Sequence, residues 1–203
     1  MSRRLLLIFV LVCFSLLSSC TSARRPPTAE LLSLHLEGLT LLSQHRFEDA
    51  EKALLKLVEK APSHFVPRFN LAIAQLNQAE KGADRALQTL SKARQLKPDD
   101  PRVAYSFGII HRFLGAEEAA LKEFEQALRH SPRDADCHYQ VAIGLIHSGR
   151  SAEALPHFEM AVQLDPTIRG EMVGDLFTLH EIEAGGPAPE VRSRLERFFV
   201  CVS

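Results

Sequence analysis

Four prolines constrain this chain more than any other feature. Pro62, Pro98, Pro132 and Pro166 each close a segment of similar design; the last two steps between them are 34 residues and the first is 36. A period of this length with two helical stretches per unit demands a stack of like units, each burying its faces only against its neighbours. Such a stack builds surface for partners and rarely encloses a catalytic pocket. Four segments align, 29–62, 65–98, 101–132 and 135–166. Each has an apolar-periodic stretch, a turn, a second apolar-periodic stretch and then proline, which cannot continue the helix it follows.

Small residues recur at matching places in every segment. The first stretch carries Gly38, Ala72, Gly108 and Ala142, and the second carries Ala50, Ala86, Ala120 and Ala154. Two helices approach closely only where side chains are small. Four residues after the second column come Leu54, Leu90, Phe124 and Phe158, and three further on Leu57, Ala93, Ala127 and Ala161. Spacings of i, i+4 and i+7 place these on one face of the second helix.

Period and columns together resemble the tetratricopeptide repeat family over roughly residues 29 to 166. The resemblance implies an all-α, right-handed superhelix of about four helix-turn-helix repeats. Two departures stand out. The column that usually holds a bulky aromatic early in the first helix carries Leu34, Arg68, Ala104 and His138, so weaker packing is expected there. The second repeat has two extra residues, expected in its turn around 77–83, where insertions are best tolerated. After Pro166 the pattern decays. Residues 167–203 read as a degenerate fifth repeat that caps the stack, with Val191, Leu195 and Phe198 facing in and Arg192, Arg194, Glu196 and Arg197 facing out. A separate partner-docking helix fits the same residues.

The first residues read as an address. Arg3 and Arg4 precede an apolar run from Leu5 to about Leu17, shorter than the about 20 residues a membrane span needs. The run ends Leu17-Ser18-Ser19-Cys20, which resembles the lipobox of bacterial lipoproteins. That resemblance implies a signal peptide over 1–19, cleavage before Cys20, and lipidation of Cys20 including a palmitate-type amide. Two or more acyl chains suffice for stable anchoring. Thr21 stands where aspartate retains Gram-negative lipoproteins in the inner membrane, so the resemblance implies the outer membrane, periplasmic face. An ordinary secretory signal or an uncleaved anchor remain alternatives. Residues 20–28 then form the anchor and a proline-stiffened tether, whose eight residues Thr21 to Thr28 reach about 25 Å when extended at about 3.3 Å each. The repeats would work close to the membrane.

Removing Arg3 and Arg4 with the leader takes the 24 basic residues to 22 against 25 acidic, a net charge of −3. That argues against nucleic acid, which calls for a basic stripe. Cys137 and Cys201 then remain; a disulfide needs Cα atoms within about 7 Å, while packed helices lie about 8–10 Å apart, so a free or intermolecularly paired thiol is expected. The 9 histidines form no His-x-x-x-His pair and the chain has no Cys-x-x-Cys clamp, so His130, His138, His147 and His157 read as solvated or capping groups. No nucleophile elbow, phosphate loop or dinucleotide fingerprint appears. The expectation is a protein that is not an enzyme and takes no cofactor or metal.

In the implied superhelix the first helices line the inner face. The groove should display Phe69, Ile73, Tyr105, Ile109, Arg112, Tyr139 and Ile143, with His35, Leu39, Leu42, Leu76 and Ile146 continuing it and Ser43, Asn77, Phe113 and His147 along one lip. Chaperone-type repeats place asparagine and basic residues there to clamp a terminal carboxylate. Here isoleucines stand in their place, and only Arg112, with Arg102 at the mouth, offers a cation. Two kinds of reading fit: an apolar peptide groove, or burial of the same residues, by tight curvature or by the last helix lying in the trough. The first helix, with Leu31, Leu32, Leu34, Leu36, Leu39, Leu41 and Leu42, is apolar nearly all round, which a terminal helix with one buried face should not be. A homodimer through it, membrane contact or a covering partner would each account for that. Lipobox and repeats together are similar to type IV pilus biogenesis (pilotin) lipoproteins and to lipoprotein adaptors that scaffold murein hydrolases and proteases. The implied partner is an envelope protein or peptide; a purely structural, self-associating lipoprotein is the alternative.

Overall fold

Helix follows helix in antiparallel pairs. The computed structural model describes residues 28–78 and 80–168, and among them the secondary structure is eight α-helices without a strand. They are α1 (Thr28–Ser43), α2 (Phe47–Lys60), α3 (Phe65–Leu76), α4 (Glu80–Leu96), α5 (Pro101–Phe113), α6 (Glu117–His130), α7 (Ala135–His147) and α8 (Ser151–Leu164). Each hairpin packs against the next, so the fold is a tetratricopeptide-type solenoid. The expected signal peptide, the lipidation expected at Cys20, the expected tether to Pro27 and nearly all of the expected C-terminal cap lie outside the described residues.

The small-residue columns form the seams of the hairpins. Ala50, Ala72, Ala86, Ala120 and Ala142 are fully buried, Ala154 nearly so, and Leu54, Leu90, Phe124 and Phe158 fill the space beside them with no exposure. Gly108 shows why size matters: a Cβ built there would stand 2.5 Å from the Phe124 ring. The aromatic ring of one helix thus lies directly on the backbone of the other. Ile110, Val103 and Val141 close the layers between repeats.

Three of the four hairpin turns share one geometry. His45, Gly115 and Gly149 take φ values of 57°, 73° and 71°. Each N–H bonds three residues back, and the next N–H bonds five residues back, as in Arg46 to Leu41, Ala116 to His111 and Arg150 to Leu145. This is the Schellman ending, which satisfies carbonyls left over at a helix C-terminus and favours glycine at the left-handed position. His45 adopts it without glycine.

The second repeat departs from the expectation. Its turn spans three residues, as the others do, and the extra length lies in α4, which runs 17 residues where α2, α6 and α8 run 14. The additional turn at the start of α4 passes so close to the end of α3 that a Cβ on Gly82 would run into the Gln75 carbonyl. Growing a helix inward satisfies its own backbone groups, whereas a longer loop would leave them to water.

Candidate binding face

First helices of successive repeats touch, α1 with α3 and α3 with α5. Second helices reach one another through long ion pairs. Arg85 on α4 spans to Glu51 on α2 at 2.7 Å, and Arg94 on α4 grips Glu123 on α6 at 2.6 Å. The first helices therefore sit on the inside of the curve.

On that inner face the repeats differ. Phe69, Ile73, Tyr105 and Ile109 are half-buried, and Leu39 is 41% exposed. Tyr139 and Ile143, at the same places in the fourth repeat, are only 7% exposed and belong to a core cluster with Ile146, Val162 and Ile168. The groove expected along the whole array is thus open over the first three repeats and filled at the fourth. Tyr105 leans edge-on against Phe124, and burial pushes its hydroxyl up to about 12. It stays neutral at any physiological pH.

Neither expected cation is free. Arg112 donates to the Gln140 carbonyl at 2.9 Å and to its side-chain oxygen, stacks over Phe124, and lies 3.5 Å from Glu117. Burial works against its charge and lowers its pKa, which a groove cation open to water would not experience. Its work is to tie the third repeat to the fourth. Arg102 is held by Asp100, the cap of α5, at 2.8 and 2.9 Å, and its guanidinium covers the Phe65 and Phe69 rings. What remains accessible on the inner face of repeats two and three is mainly aromatic and aliphatic, with the Asp100-paired Arg102 guanidinium exposed at its edge.

The lip positions Asn77 and Phe113 meet at an open cavity of about 780 Å³ at the turn edge, beside Arg46, Phe47, Gln78 and Lys81. Behind it, Glu51 accepts hydrogen bonds from Gln75, Gln78 and Arg85 at 2.7–2.9 Å. Burial penalises its charge, but the two amides and the guanidinium outweigh that and hold its carboxyl below the usual range.

Side chains in the departing aromatic column have a job the sequence did not disclose. Arg68 donates to the Pro62 carbonyl at 2.6 Å, and His138 Nε2 meets the Pro132 carbonyl at 3.1 Å. Each reaches six residues back and fastens its helix to the loop that ends the previous repeat. His138 and His157 also come together, with Nδ1 atoms 3.0 Å apart, although 19 residues separate them in sequence. Periodicity could have found this contact, because 138 and 157 sit on the seam faces of paired helices. Among the described residues no three His, Cys, Asp or Glu side chains gather where a metal ion could be held. Cys137 is buried against Ala104 and Ala127, and burial raises its thiol pKa far beyond the ordinary value, so it is a poor nucleophile. Cys201 lies outside the described residues. No described helix is long and apolar enough to cross a membrane.

Known proteins match the same architecture. Residues 35–101 and 105–167 fit the family model described as Tetratricopeptide repeat. The chain is similar to Tetratricopeptide repeat protein 6 of Homo sapiens, 21% identical over 129 residues, covering 64% of this chain and 24% of that protein. It is also similar to Transcriptional regulator HilA of Salmonella typhimurium, 27% identical over 144 residues, covering 66% of this chain and 26% of that one. It therefore spans about a quarter of the length of either relative. Among solved structures, the crystal structure of MamA superposes with a TM-score of 0.61 at 19% identity, over 68% of this chain and 79% of that one. MamA 41-end from Desulfovibrio magneticus RS-1 gives 0.60 at 18% identity, over 68% and 76%. At such identities the likeness is one of fold.

Proposed function

The chain belongs to the tetratricopeptide repeat family, and we propose that it is a lipid-anchored scaffold of the bacterial envelope, not an enzyme, that binds an apolar segment of an envelope protein along its inner face. The observation that carries this reading is the accessible run Leu39, Ile73 and Ile109, flanked by Phe69 and Tyr105, on the three successive first helices. Apolar grooves of this kind suit amphipathic helices and extended peptides. With Arg112 tied to Gln140 and Arg102 paired with Asp100, recognition rests on burial, at about 1.5–3 kcal/mol for each fully covered aliphatic or aromatic side chain. A few such anchors support micromolar affinity after association costs.

The sequence Leu17-Ser18-Ser19-Cys20 supports lipidation at Cys20 and a place on the periplasmic face of the outer membrane. Assistance to pilus or secretin assembly is the specific role we favour, with murein hydrolase or protease scaffolding as the alternative. A second reading, self-association, is favoured by Leu32 and Leu36, which are 57% and 55% exposed one turn apart on α1. Ile73→Asp should abolish capture of the envelope partner without lowering the melting temperature, and capture by the unaltered protein should survive high salt, because screening acts on charges. Retained capture by the folded variant would place the binding surface elsewhere. Cys20→Ala should no longer take up radiolabelled palmitate; equal labelling would refute the anchor.

A further inference from the structure

The two imidazoles of the fourth hairpin are arranged to share one proton. His138 Nε2 faces the Pro132 carbonyl at 3.1 Å, and an oxygen there can only accept, so this nitrogen carries hydrogen. In the neutral ring Nδ1 is then bare. It faces His157 Nδ1 at 3.0 Å, so His157 must donate through Nδ1 and keep its own Nε2 bare. The ring centroids are 5.1 Å apart, close to the greatest separation that two rings with this nitrogen contact can have. The nitrogens therefore meet nearly end on, as a hydrogen bond requires, and do not converge sideways on a metal ion.

We propose that His138 and His157 form a one-proton clasp that holds the fourth hairpin closed near neutral pH and releases it in acid, when both Nδ1 atoms become donors. A first added proton can go to His157 Nε2 without breaking either bond. A second must set N–H against N–H and two positive charges side by side. The clasp sits beside a break in the α8 hydrogen-bond ladder: Pro156, one residue before His157, lies inside α8 and withholds the N–H that the Ala152 carbonyl would otherwise receive. Its other half, His138, stands two residues before Gln140, the group that receives Arg112 from the third repeat. Opening would thus loosen the seam between α7 and α8 and the tie to the neighbouring repeat.

The surrounding charges set the balance. Burial disfavours charge on His157 and so does His138, lowering its pKa, while Glu125 on α6 and Glu153 on α8 act in the opposite direction. Arg150 holds Glu153 at 2.7 Å and also feels Glu125, so both carboxylates are partly answered. On α7 itself Asp134 caps the helix and Asp136 lies in its first turn. A histidine whose folded pKa is depressed binds protons better when unfolded, so stability is full above the ordinary imidazole value and falls as pH drops through it.

The test is an NMR titration of the full chain from pH 8 to 4.5, with hydrogen exchange over residues 135–164 and thermal melts at each end of that range. The pair should take up protons in two coupled steps, the second only as the clasp opens. Exchange in the fourth hairpin should rise at least about tenfold across the second step, ahead of the first three repeats. His157→Gln keeps a donor for His138 but cannot take a second proton, so it should fold at neutral pH and lose this acid-induced opening. Independent titration of the two rings near the ordinary imidazole value would overturn the clasp, as would unchanged acid opening in His157→Gln. Should that variant fail to fold, the pairwise titration of the unaltered protein decides alone.

Discussion

The first and fourth hairpins carry the same columns yet are buried very differently. Their seams are alike: Leu54 lies on Gly38 and Phe158 on Ala142, all without exposure or nearly so. Gly38, at the seam itself, is the one residue α1 buries, whereas α7 buries eight, Tyr139 and Ile143 among them. Leu32 and Leu36 on α1 are no less apolar than these. They are exposed because no hairpin of the described structure packs against them. A repeat thus encodes its own hairpin by itself, and its remaining faces become core, groove or docking surface according to the neighbour.

The largest test of this contrast removes the seam at each end. Phe158→Ala should cost about 3–5 kcal/mol, since a cavity opens beside α7, which α6 and α8 hold from both sides. Leu54→Ala should fall near the low end of about 2–5 kcal/mol, because α1 has neighbours on one side only and can close on the gap. Chemical denaturation measures both; a larger loss at Leu54 would break the comparison. Overfilling a seam comes next. Ala120→Leu should cost about 1–3 kcal/mol through strain, while exposed Glu118→Leu stays within about 0.5 kcal/mol in thermal melts. Smaller again is relief of the turn: His45→Gly should raise stability by about 1 kcal/mol, because His45 holds the left-handed conformation that Gly115 and Gly149 adopt without strain. Leu36→Glu should leave the melting temperature unchanged and, if α1 mediates self-association, return the protein to monomer in sedimentation.

Acid sharpens the same comparison. Glu51, at the junction of the first two repeats, has its carboxyl held low by Gln78, Gln75 and Arg85 against the penalty of burial. Its contribution is complete above the ordinary carboxylate range and lost as pH falls through the depressed value. Fluorescence probes placed in each half should therefore report loosening of the fourth hairpin in the imidazole range and of the first junction only at lower pH. The reverse order would contradict both assignments.

Much of the fold could be read in the residues because seams are local. Small and large columns at fixed spacing state which helices pair, and the prolines state where each pair ends. The inner face was harder to read. Ile73 and Ile143 occupy the same place in their repeats, and only the surroundings decide that one is accessible and the other core. Arg112 looked like a free cation because its acceptor, Gln140, is 28 residues away on another helix. The extra residues fall within 77–83 as expected, but as helix and not as turn. Gly82 reads as a turn residue, yet it is needed because a helix passes the Gln75 carbonyl too closely for any side chain.

Site-specific photocrosslinking in intact envelopes tests the central claim most directly, with the probe placed at Ile73 on the inner face or at exposed Leu55 on α2. The account predicts one discrete adduct from position 73, preserved in high salt, and none from position 55. Adducts from position 55 alone would contradict it and move recognition to the outer helices.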